Sequence, residues 1–147
     1  MSSGGPVVLV VTRVFDVDRE TLFDAWTKPA LMMKWFHSHD AWTTPLAEAD
    51  LRVGGRWSIE MRTDDGRAYR PFGVYRVIER PSRLTFTWHP FGNPEYETSI
   101  TLRFRAMGPK RTELRLTQEG LRDDADRRVH QGGWEGCLRV LAAETVP

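Results

Sequence analysis

From Trp57 to Leu116 apolar residues keep returning at every second position, and only after Asp123 does the spacing widen to three and four. Trp57, Ile59 and Met61 alternate with Ser58, Glu60 and Arg62, and the pairs and triplets Phe86/Trp88, Ile100/Leu102/Phe104 and Leu114/Leu116 repeat the pattern. A strand turns successive side chains to opposite faces, so this alternation specifies strands with one apolar and one solvated face; it places Glu60 and Arg62 in solvent. The breaks are short and made of turn residues: Gly54-Gly55, Asp65-Gly66, Pro81-Ser82, the Pro/Gly/Asn segment at 90–94, and Gly108-Pro109. Strands joined so tightly pair antiparallel, over roughly 57–61, 68–79, 83–89, 96–106 and 111–118.

The apolar face of such a sheet must be covered, and the sequence offers one long cover. Asp123, Asp124 and Asp126 open a helix that runs to about Ala143, with His130, Trp134, Cys137/Leu138 and Leu141 along one side. Ahead of the sheet, the β-branched run from Val7 to Val17 predicts a first strand. Asp18 and Glu20 then precede Leu22, Phe23 and Trp26 at helical spacing, and Pro29 starts a second short helix presenting Met32, Trp35 and Phe36. The predicted class is α+β: a curved antiparallel sheet of six to seven strands around a long C-terminal helix, with two short helices after strand 1. No repeat, linker or shift in composition divides the chain, so 7–145 reads as a single domain and the Ser/Gly-rich 1–6 as a flexible end.

Composition excludes several classes. With 40% apolar and 28% charged residues, neither disorder nor membrane residence is favoured. Lys plus Arg number 21 and Asp plus Glu 20, so no net field draws the chain to nucleic acid. No apolar run reaches the roughly 20 residues of a membrane span, and the N-terminus lacks the pattern of a secretion signal. The single Cys137 forms no intramolecular disulfide and anchors no zinc cluster. The expectation is a cytoplasmic protein without cofactor or metal.

Asp50-Leu-Arg-Val-Gly-Gly-Arg-Trp57, the stretch Gly73–Trp88, the stretch Ala25–Trp35 and His130-Gln-Gly-Gly-Trp-Glu-Gly-Cys-Leu138 occur in order along the chain. Together they resemble segments of the START-like (SRPBCC) superfamily, and more narrowly proteins similar to the C-terminal domain of the activator of heat shock protein 90 ATPase. The resemblance spans roughly residues 8 to 145 and implies a helix-grip fold. Two positions depart from it. Lys28 stands where relatives often place Asp as a helix cap, and Gln118 where they often carry His.

Several residues could carry chemistry. His130 lies one turn before Trp134 on the sheet-facing side; a structural histidine, a ligand contact and a general base all fit it. His37, His39 and Asp40 form an H-x-H-D run, but nothing in a loop fixes their convergence, so a solvated loop or a lid is expected in place of a metal site. Six tryptophans make an aromatic-rich interior. Gly132, Gly133 and Gly136 cost the last helix roughly 2–3 kcal/mol together, which implies either close helix-to-sheet approach or volume left for a ligand. No nucleophile elbow and no phosphate-binding loop occurs.

These features favour a small-molecule-binding domain, its apolar or aromatic ligand lying between sheet and last helix. The expected contacts are Trp35, Trp57, Ile59, Met61, Phe86, Trp88, Leu102, Phe104, Gln118, His130 and Trp134. An enzyme of the polyketide cyclase type using His130 is the alternative, against which stands the shortage of paired inward acids and bases. A chaperone-associated interaction module rests on the resemblance alone. The sequence leaves homodimerisation open.

Overall fold

The computed structural model describes residues 7–145; the N-terminal end read as flexible lies outside them. Strand β1 (Val7–Phe15) is followed by helices α1 (Arg19–Thr27) and α2 (Pro29–Trp35). Then come β2 (Thr43–Ala49), β3 (Arg56–Arg62), the two-residue β4 (Ala68–Tyr69), β5 (Phe72–Glu79), β6 (Arg83–Trp88), β7 (Thr98–Gly108), β8 (Arg111–Leu121) and the long α3 (Asp124–Glu144). The sheet runs β1-β8-β7-β6-β5-β3-β2, every pair antiparallel, with β4 beside β3. The segment read as one strand over 68–79 is two, because Arg70-Pro71 interrupts it and proline cannot donate to a ladder.

The ends of the helices follow from local chemistry. Asp18 caps α1 by accepting from Thr21 N at 3.2 Å, and Asp123 caps α3 by accepting from Asp126 N at 2.8 Å. Lys28, at the corresponding place before α2, makes no capping bond and reaches back to Asp24 instead. Pro29 starts that helix without needing a donor.

The inward alternation holds: Trp57, Ile59, Phe86, Leu102 and Phe104 are buried in one core with Trp134, Leu138 and Leu141 of α3. Glu60 corrects the expected solvated face. It is only 4% exposed, its carboxylate clamped by Arg62 Nε at 2.7 Å and Arg70 Nε at 2.8 Å. The two arginines are themselves well exposed, so the carboxylate stays on the outer face but lies under their side chains. The bond from Arg70, ahead of that from Arg62, holds the Glu60 carboxyl below the usual range, against the burial that would raise it.

Candidate functional site

Five elements leave a gap where α3 starts across the mouth of the sheet. The gap is a cavity of about 870 Å³, partly open to solvent, between the first half of α3, the α2–β2 connection, β3–β4 and the turn after β6. That volume falls in the range of small-molecule sites. Phe36, Trp88 and Trp134 form its inner wall, and Trp42, Tyr69 and Phe91 its outer one.

The inner wall is rigid because its rings interlock. Phe36 stacks on Trp35 with centroids 4.3 Å apart, and it meets Trp88 at 5.9 Å and Trp134 at 6.0 Å. Trp134 also packs edge-on against Trp88 at 4.9 Å. A buried polar ladder fixes its indole: Nε1 donates to Gln118 Oε1 at 2.8 Å, Gln118 Nε2 donates to Thr98 Oγ1 at 3.0 Å, and Thr98 donates to the Trp88 carbonyl at 2.8 Å. Every bond in that chain is satisfied inside the protein, so Gln118 orients Trp134 and does not face the cavity.

The three glycines of α3 divide between two tasks. A Cβ on Gly136 would overlap the carbonyl oxygen of Ser38, so its bareness lets α3 touch the α2–β2 connection; the close approach is to this connection and not to the sheet. Around Gly132 and Gly133 a Cβ would meet nothing within 4 Å, and both border the cavity. Missing side chains thus make space at one end of the helix and contact at the other.

His130 borders the same space, its side chain 9% exposed. Its Nδ1 lies 3.0 Å from the Asp126 carbonyl oxygen and 3.2 Å from Asp126 Oδ1. The other carboxylate oxygen of Asp126 receives the Tyr96 hydroxyl and the backbone N–H of Arg122 at 3.3 Å. Burial, then the bond to Asp126, push the Tyr96 phenol up to about 12, so it remains a donor at neutral pH. Phe91 stands edge-on to His130 at 5.9 Å and to Tyr69 at 6.0 Å. Its φ is +59°, a left-handed conformation that costs a non-glycine residue of order 1–3 kcal/mol, and its ring is 58% exposed.

The H-x-H-D run scatters. His37, expected in a solvated loop, is 7% exposed and donates from Nδ1 to Thr44 Oγ1 at 2.9 Å, while Thr44 donates to the Phe36 carbonyl at 2.7 Å. His39 lies against Trp42 at 4.6 Å, and Asp40 pairs with Arg139 of α3 at 3.3 Å. The three converge on no common point. Of the residues expected to touch a ligand, Met61, Trp88, His130 and Trp134 border the cavity. Trp35, Trp57, Ile59, Phe86, Leu102, Phe104 and Gln118 are packed in the interior away from it. Phe36, Trp42, Tyr69 and Phe91 were not expected at the cavity, nor was the Asp126 support of His130. Asp126 had a signal, the i, i+4 spacing to His130; Phe91, in a turn, had none beyond its size.

A helix-grip α+β scaffold with a side cavity is the class these features define. The family model for activator of Hsp90 ATPase homolog 1-like protein matches residues 16–145, and the chain belongs to that family. Among solved structures, an AHSA1 protein from Silicibacter pomeroyi is 27% identical with a TM-score of 0.81, over 94% of this chain and 96% of that one. A protein from Chromobacterium violaceum is 22% identical with a TM-score of 0.82, over 96% and 99%. An HSP90 activator from Plasmodium falciparum is 22% identical with a TM-score of 0.73, over 96% of each. No curated protein matches the sequence. Among the described residues no helix is long and apolar enough to cross a membrane.

Proposed function

We propose that this protein binds an apolar, aromatic small molecule in the cavity between its sheet and α3. The observation that carries this reading is the aromatic lining around a space that Gly132 and Gly133 keep open at a cost in helix stability. Met61, Trp88, His130 and Trp134 would be direct contacts. A ligand that binds only the folded state stabilises it by RT ln(1 + [L]/Kd), about 2.7 kcal/mol at a hundredfold excess over Kd. A thermal-shift series of aromatic compounds should therefore raise Tm. Gly133→Leu should abolish the shift while leaving the fold intact, because its side chain enters open space. A wild-type protein whose Tm no aromatic compound moves, or a Gly133→Leu variant that responds as strongly, would sink the reading.

The family name and the Plasmodium neighbour support a second reading, contact with an Hsp90 chaperone. Direct binding of the purified chain to Hsp90, and a change in the chaperone's ATP hydrolysis, would favour it. The cavity lining offers no reason for such a contact.

A further inference from the structure

We infer that the ligand is an aromatic hydroxyl compound, a phenol or naphthol, whose O–H is received by Nε2 of His130. This rests on the cavity being a ligand site and specifies the chemistry that fits it. The tautomer of His130 is set by its partners. The Asp126 carbonyl oxygen, 3.0 Å from Nδ1, can only accept, so Nδ1 carries hydrogen. In the neutral ring Nε2 then holds the lone pair, and it makes no hydrogen bond to any described residue. An ether or ketone oxygen placed against it would oppose two lone pairs, whereas a hydroxyl supplies the missing hydrogen.

Asp126 also fixes the orientation of the ring. Its Oδ1 stands 3.2 Å from Nδ1, and the Tyr96 hydroxyl and Arg122 N–H hold its other oxygen in place. The ring walls of Phe36, Trp88 and Trp134 favour a flat body. A carboxylic acid fits less well, because its second oxygen needs its own donor. Of the three arginines bordering the cavity, Arg128 and Arg139 are already paired with Asp124 and Asp40 at 3.3 Å, so a carboxylate would have to reach Arg13 of β1, which makes no ion pair among the described residues.

Calorimetry on the full chain with 2-naphthol, 2-methoxynaphthalene, naphthalene and 2-naphthoic acid tests this. 2-Naphthol should bind about tenfold more tightly than its methyl ether. That margin should vanish in His130→Phe and shrink in Asp126→Asn, with naphthalene binding all three proteins alike. Equal affinity for naphthol and its ether in the wild type, or a margin that survives His130→Phe, overturns the assignment but leaves the cavity as a ligand site. Tighter binding of naphthoic acid overturns it in favour of an acid. Failure of all four compounds to bind overturns the ligand site as well. The wild-type comparison decides even where His130→Phe does not fold.

Discussion

Gly133 and Gly136 sit three residues apart on α3, yet the same substitution should move stability in opposite directions. At Gly133 a methyl meets open space, so Gly133→Ala should gain up to about 1 kcal/mol from helix propensity. At Gly136 the methyl meets backbone, the Ser38 carbonyl, which cannot turn aside as a side chain would. Gly136→Ala should lose about 1–3 kcal/mol despite the same propensity gain. Urea denaturation of the two variants checks this, and two gains would show that α3 is free to shift off the α2–β2 connection. The cost of these glycines was legible in the sequence because helix propensity is local. Which of them touches something was not, since Ser38 lies far away along the chain. Trp26 shows another cost that sequence could not reveal: its Nε1 is buried without a partner, a penalty of about 1–3 kcal/mol that its ring contacts with Trp35 and Phe36 must outweigh.

At the scale of elements, the α2–β2 connection is the least sequence-like part of the molecule. Its residues have neither a strand period nor a helix period, so 37–40 read as a solvated loop or lid. It is instead anchored from inside, Phe36 in the aromatic wall and His37 against Thr44. Burial lowers the His37 pKa from its ordinary 6.5, against the smaller opposing pull of Asp40 and Glu144. The sign follows from proton counting. The unfolded chain takes up the His37 proton near 6.5 and the folded one only at lower pH, so this contribution is complete above 6.5 and is lost as pH falls below it toward the folded value. Stability followed from pH 8 to 5 should therefore decline more steeply in the wild type than in His37→Asn. Parallel curves would mean that the folded ring takes up its proton as readily as the unfolded one. The strands, by contrast, were legible because a period of two survives wherever one face is buried. The exception, Glu60, failed for a tertiary reason: Arg70, ten residues on, folds over it.

For the whole molecule, the sheet and its covering helix follow from pattern alone, while the cavity does not. The alternation placed Trp57, Ile59, Phe86, Leu102 and Phe104 on the inner face, where they are. It could not say which part of that face α3 covers and which it leaves bare, because that depends on where a capped helix begins and on what Gly136 touches. Of the contacts expected from sequence, only those near one end of the grip, Met61, Trp88, His130 and Trp134, reach the space. The interlocked rings also have an optical consequence. Trp35, Trp26, Trp134, Trp88 and Trp57 form an unbroken series, with successive centroids 4.5, 6.1, 4.9 and 5.1 Å apart. Indoles that close couple their transitions, so the five are expected to absorb as a coupled set, while Trp42 stands apart beside Tyr69 and His39. Near-ultraviolet circular dichroism should show strong exciton bands that Trp88→Phe, cutting the series, reshapes and Trp42→Phe leaves unchanged. Equal, simply subtractive effects of the two substitutions would mean that the rings turn independently in solution. Where the coupling holds, a molecule arriving at Trp134 dims light first absorbed at Trp35, two rings along the series.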